Sequence, residues 1–181
     1  MRKVIASTYM TLDGRMDDLQ EWTAPHDSEA VARFHDDVLA DCDGLILGRR
    51  TYEVFAVIWP ARAGRLAYGD KINELPKYVA SGTLTNLEWE NSHLIDGDVA
   101  AAVTALKEQP GKDLVVYGGH ALTQTLMSHD LIDEYRILLH PVLLGKGRSF
   151  FADAGPRVDL ELVDSAVISR GVTVLTYRPV R

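Results

Sequence analysis

The sequence predicts an α/β fold on a mostly parallel sheet, with helices on both faces and an antiparallel hairpin at the carboxyl end. Three observations carry this. Short β-rich apolar runs alternate with segments of helical periodicity up to about residue 130. Two of those runs, at 44–48 and 114–119, close in glycine directly before a helical segment. From Glu134 onward the pattern is β alone, with strands at 135–141, 160–168 and 172–177.

The elements follow in order. Residues 4–10 form the first strand and run into Thr11-Leu12-Asp13-Gly14, where Asp-Gly is a strong turn signal. Beyond a loop holding Trp22 and Pro25, Asp27 or Ser28 caps a helix whose apolar positions Val31, Phe34, Val38 and Leu39 share one face. Residues 44–48 read as strand, and Arg49-Arg50-Thr51-Tyr52-Glu53 as a helix start. Residues 77–81 and 92–95 are short strands. Asp98 then caps a helix through Leu106, stopped by Pro110-Gly111. Residues 114–117 are a buried parallel strand, and Leu122, Leu126 and Met127 follow at helical spacing. Arg170-Gly171 turns the last two strands into a hairpin. The length of 181 residues suits one domain spanning 1–181, and no repeat or low-complexity linker interrupts it.

Composition narrows the function classes. A formal charge of −7 disfavours a nucleic-acid surface, which relies on clustered Lys and Arg, while leaving room for one phosphorylated small ligand held by backbone N–H groups and a local Arg. The expected partner is a small molecule. Cys42 is the single cysteine, so no intrachain disulfide can form, and the six histidines show no metal-ligand spacing. No signal-peptide core or membrane-length apolar run is present, so a cytoplasmic protein with no membrane partner is expected.

The chemistry concentrates at the two glycine joints, Gly48 and Gly118-Gly119. Open α/β sheets bind ligands beyond the carboxyl ends of their strands. Glycine lets a phosphate approach the backbone, and the helix N-terminus behind it offers unpaired N–H groups; tight turns without a ligand also use glycine in this way. Arg49 and Arg50 add charge-assisted bonds of the kind a 2′-phosphate uses. Neither the G-x-G-x-x-G fingerprint nor the G-x-x-x-x-G-K-[ST] loop occurs, which disfavours an ordinary Rossmann domain or a nucleotide hydrolase.

These residues resemble the dihydrofolate-reductase-like superfamily, in particular the group related to the C-terminal reductase domain of the bifunctional riboflavin deaminase-reductase. The anchors are Thr11-Leu12-Asp13-Gly14, Gly48-Arg49-Arg50-Thr51-Tyr52, Ser81 with Thr83-Leu84, and Gly118-Gly119. Leu131-Ile132-Asp133-Glu134 running into Pro141-Val142-Leu143-Leu144-Gly145-Lys146-Gly147, with Phe150-Phe151 beyond, is the fifth. The resemblance implies a three-layer αβα sandwich that binds NADPH across the carboxyl edge of the sheet and forms a homodimer. By position, Gly48, Arg49, Arg50 and Thr51 fall at the adenosine side, with Arg49 or Arg50 near the 2′-phosphate and Ser81 and Thr83 beside ribose and adenine. Gly118, Gly119, Ala121 and Leu122 fall at the pyrophosphate. Ala6, Leu12, Asp13 and Gly14 fall at the nicotinamide and substrate mouth.

Asp13 is the candidate for orienting or protonating the substrate, and equally a turn-forming Asx residue before Gly14. His120 either faces the pyrophosphate or is an exposed helix-start residue. Trp22 and Trp59 either wall an aromatic substrate or belong to the core. The apolar run 139–144 with Phe150 and Phe151 is a dimer contact or ordinary core. Folate reductases carry an acid four residues before a Phe on the first helix; counting back from Phe34 gives Ala30, with Glu29 one residue out of register, so folate reduction is not expected. The expected activity is an NADPH-dependent reduction of a small heterocycle, similar to that of 5-amino-6-(5-phosphoribosylamino)uracil reductase. The alternatives are a nucleotide-binding relative without turnover and a structural dimer without ligand.

Overall fold

A computed structural model describes residues 1–151 and 157–181. The chain runs β1 (Val4–Thr11), α1 (Leu19–Trp22), α2 (Glu29–Ala40), β2 (Cys42–Gly48), α3 (Arg49–Ile58), α4 (Ala67–Glu74), β3 (Lys77–Ala80), β4 (Ser92–Ile95) and α5 (Val99–Glu108). It continues through β5 (Asp113–Tyr117), α6 (His120–Ser128), β6 (Glu134–His140), β7 (Leu160–Ser169) and β8 (Val172–Pro179). The eight strands form one sheet in the order β4-β3-β2-β5-β1-β6-β8-β7. The first six in that order pair in parallel, and β8 pairs antiparallel with both β6 and β7. The hairpin turn places Arg170 at φ 40° and Gly171 at φ 84°, the paired positive φ values that a two-residue I′ turn requires.

Strand alternation divides the core between the two faces of the sheet. Val4, Ala6, Ile46, Leu114 and Val116 pack on one side with Val103 and Leu106 of α5 and Leu122 and Leu126 of α6. Ile5, Leu45, Leu47, Val79 and Val115 pack on the other with Val38 and Leu39 of α2, Tyr52 of α3 and Ile72 of α4. The result is the expected αβα sandwich. Phe150, at 1% exposure, belongs to the first core, whereas Leu143 stands 73% exposed.

Two caps follow from side-chain chemistry. Ser28 Oγ accepts the Val31 N–H at 3.3 Å at the start of α2, and Asp98 Oδ1 accepts the Ala100 and Ala101 N–H groups at 2.9 and 3.1 Å at the start of α5. Helix α4 has no counterpart in the sequence reading. Gly69 lowers its intrinsic helicity, but a Cβ there would lie 3.1 Å from the Trp59 ring, a tight contact that the glycine relieves. At the far end of the sheet, the buried Glu134 carboxylate accepts from Arg136 Nε at 2.7 Å and Arg178 Nη2 at 3.0 Å. Burial alone would raise its pKa; the bonds to both guanidinium groups overcome that and hold it low.

Candidate functional site

At the carboxyl edge β2 ends in Gly48 and β5 runs on into Gly118-Gly119, and the helices that follow start without a side-chain cap. Gly48 precedes α3 in extended conformation, and Gly119, at φ 77°, precedes α6. The first N–H groups of both helices are therefore left without a side-chain acceptor, the arrangement that binds anions. Gly118 also has positive φ, at 55°, so both residues of this joint occupy the left-handed region that favours glycine.

A cleft of about 910 Å³ opens over these joints. Gly48, Arg49, Arg50 and Thr51 line one wall and Ser81 and Thr83 another; Gly119, His120, Ala121 and Leu122 complete it. Arg49 Nη1 donates to Thr83 Oγ1 at 3.3 Å, tying the two walls together. His120 faces this cleft, and its buried Nδ1 has no partner among the described residues. These sequence-predicted residues thus converge on one space, with Gly118 just across the boundary in a second cleft.

The second cleft, about 540 Å³, shares Met16, Arg50, Thr51, Gly119 and Arg148 with the first, so the two form one groove. Its walls are aromatic: Phe55, Trp59, Tyr68 and Tyr117. Tyr9 and His35 face it as a pair, with Tyr9 Oη 2.7 Å from His35 Nε2. Burial lowers the His35 pKa to about 4, so the imidazole is neutral near pH 7, and burial likewise raises the Tyr9 phenol. Ser7 Oγ, Trp59 Nε1 and Tyr117 Oη are buried here without a partner among the described residues.

The structure sets four predicted residues apart from both clefts. Ala6 is 2% exposed in the core under α5 and α6, while Ser7, Thr8 and Tyr9, nearer the carboxyl end of β1, line the second cleft. Leu12 is 60% exposed, and Gly14, at φ 77°, makes the turn after β1. Asp13 bridges its own turn to the segment at 144–145. Its carboxylate accepts Thr11 Oγ1 at 2.6 Å, Gly145 N at 2.8 Å and Leu144 N at 3.2 Å, bonds that lower its pKa to about 2, the Thr11 bond most of all. A carboxylate ionised at neutral pH has no proton to give, and these bonds join the turn after β1 to the 144–145 segment.

Trp22 is buried, donating Nε1–H to Asp17 O at 2.8 Å, while Trp59 walls the second cleft. The sequence reading missed Ser7, Tyr9, His35 and Arg148, which lie on three separate segments. Period-two alternation along β1 was the available signal for the first two. Asp17 binds the Arg148 guanidinium, with Nε–Oδ1 at 2.8 Å, and joins the loop after β1 to the segment before Phe150. On α2, Glu29 is exposed and pairs with Arg33 at 3.5 Å; the residue of that helix lining the cleft is His35.

The mostly parallel αβα sandwich, with its C-terminal antiparallel pair and a groove on its carboxyl edge, has the dihydrofolate-reductase-like fold, which known proteins share. The dihydrofolate reductase of Enterococcus faecalis, complexed with NADP(H), superposes with a TM-score of 0.63 at 16% identity over 99% of this chain and 97% of that one. A Shewanella sp. PV-4 protein ascribed to riboflavin biosynthesis superposes with a TM-score of 0.81 at 23% identity over 99% of each chain. Residues 2–174 match the RibD C-terminal domain, and this chain belongs to that family. Two Bacillus subtilis (strain 168) relatives are uncharacterized proteins: YyaP, 28% identical over 97% of this chain and 94% of its own length, and YwjB, 31% identical over 89% of each.

Proposed function

We propose that this protein is an NADPH-dependent reductase of a small heterocyclic substrate, similar in type to 5-amino-6-(5-phosphoribosylamino)uracil reductase. The observation that carries the reading is the two-part groove. Its first part joins two uncapped helix N-termini, two arginines and a glycine-lined approach to the backbone, which suits a phosphorylated dinucleotide. Its second part is an aromatic slot of the size small-molecule sites use, suited to a flat ring.

A bound nicotinamide supplies hydride in such enzymes. The protein's share is position and exclusion of water. Gly48 and Gly119 hold the phosphates through the backbone at their helix starts, Arg49 beside Thr83 receives the 2′-phosphate, and Arg50 stands where the two clefts meet. The aromatic walls exclude water from the ring face. No acid of α2 reaches the second cleft among the described residues, which keeps folate an unfavoured substrate. We further propose that the protein is cytoplasmic and homodimeric. Among the described residues no helix is long and apolar enough to cross a membrane.

Thermal unfolding with NADPH, NADH and no ligand tests the reading. A ligand at one hundred times its Kd stabilises by about 2.7 kcal/mol, so NADPH is expected to raise the midpoint by several degrees and NADH by less. Arg49→Ala is expected to close most of that difference. Absence of a shift with either cofactor at millimolar concentration overturns the proposal.

A further inference from the structure

We infer that the second cleft takes an uncharged, unphosphorylated heteroaromatic molecule, hydrogen-bonded at its ring edges by Ser7, Trp59 and Tyr117 beside the Tyr9–His35 pair. The inference rests on the reductase reading above and departs from the phosphoribosyl substrate type at the phosphate.

Two observations carry it. The first is the charge distribution. The slot's deeper walls are neutral: aromatic rings, the Ser7 hydroxyl and an imidazole held uncharged by burial. Its charged lining consists of Asp17, Asp18 and Glu21 with Arg50 and Arg148. Arg148 is already bound by Asp17 through its guanidinium and through its backbone N–H at 2.6 Å. Arg50 is shared with the dinucleotide cleft. Among the described lining residues three carboxylates, Asp17, Asp18 and Glu21, stand against two guanidinium groups, and Asp18 and Glu21 are exposed at the slot. A dianionic phosphate entering here meets like charge, which costs affinity and slows encounter.

The second is the set of buried polar atoms without partners. Ser7 is 1% exposed, Tyr117 7% and Trp59 8%; all three line the slot, and each carries an N–H or hydroxyl with no partner among the described residues. Buried polar groups are almost always hydrogen-bonded, so three orphans around one cavity mark where a ligand completes the set. They offer an indole donor and two hydroxyls that donate or accept, which matches alternating N–H, C=O and ring nitrogen on a heterocycle and not a hydrocarbon.

The experiment is calorimetric titration of the full chain with 5-aminouridine and 5-aminouridine 5′-monophosphate, a pair differing only in the phosphate, alongside NADPH titration of the same protein. The nucleoside is expected to bind at least tenfold more tightly than the monophosphate. Tyr117→Phe should weaken the nucleoside about tenfold while leaving NADPH affinity within twofold; it breaks no internal hydrogen bond, so the fold is retained. Asp18→Asn combined with Glu21→Gln should tighten the monophosphate several-fold, with a much smaller change for the nucleoside. Asn tolerates the left-handed backbone of residue 18, at φ 54°. Tighter binding of the monophosphate, or no nucleoside binding where NADPH binds, overturns this inference alone. Loss of NADPH binding as well overturns the reductase reading beneath it.

Discussion

Tyr117→Phe should make the ligand-free protein more stable. The Tyr117 side chain is buried at the end of β5 and its hydroxyl has no partner among the described residues, while burial pushes its pKa well above the ordinary tyrosine value. A buried hydroxyl that lost its water without gaining a bond costs about 1–3 kcal/mol. The phenyl ring of the variant keeps its place beside the His35 and Phe55 rings, at centroid distances of 5.9 and 6.1 Å. The space left by one oxygen is smaller than a methyl group and costs well under about 1 kcal/mol. The net gain is therefore about 1–2 kcal/mol, or a rise of about 2–8 °C for a domain of this size. Circular dichroism melts without ligand provide the assay, and Ser7→Ala, which removes a second orphan on the same cleft, should behave alike. An unchanged or lowered midpoint in both variants refutes the reasoning, because it means the hydroxyls are satisfied in the free protein.

Asp13→Asn tests the turn role through pH. The Asp13 carboxyl is lowered from an ordinary 3.8 to about 2, so its contribution is complete above about pH 4 and is lost as pH falls through 2. The variant should show a shallower loss of stability across that window and unaltered NADPH binding, read by melts from pH 2 to 7. Gly119→Ala forces a Cβ onto a left-handed residue at the groove, costing about 1–2 kcal/mol, and should weaken NADPH binding more than it lowers the melting point. Lys107 is buried and binds Asp133 together with Leu131 O, the latter at 3.2 Å. Lys107→Met leaves that carboxylate short of a partner and should cost about 3 kcal/mol in urea unfolding, the low end for a broken buried pair because Arg181 still reaches Asp133 at 3.1 Å.

Most of the sheet was readable because its strands are short apolar runs bounded by turns, and β2 ends in glycine and β5 runs on into it, so 44–48 and 114–117 announce both their conformation and their ligand-facing ends. Helix α4 was not readable: its glycine is explained by the Trp59 ring packed against it, a tertiary fact invisible locally. The first cleft was legible for the same reason as the strands, since Gly48-Arg49-Arg50-Thr51 and Gly118-Gly119 are contiguous stretches. The second cleft was not. Ser7, His35, Tyr68 and Arg148 come from separate segments, and only folding sets an imidazole of α2 beside a phenol of β1. Asp13 stands out in the sequence as an acid beside a turn, but its carboxylate is engaged by Thr11 and by the distant Leu144 and Gly145 N–H groups, which local sequence does not reveal.

The shared wall between the two clefts has a thermodynamic consequence. Met16, Arg50, Thr51, Gly119 and Arg148 touch both spaces, so whatever settles in one fixes side chains that border the other. Any factor by which the first ligand alters the affinity of the second must be returned in full by the second to the first. A partition built from movable arginines and a methionine therefore makes the two sites a linked pair, and titrating either ligand against a saturating concentration of the other measures a property of that partition.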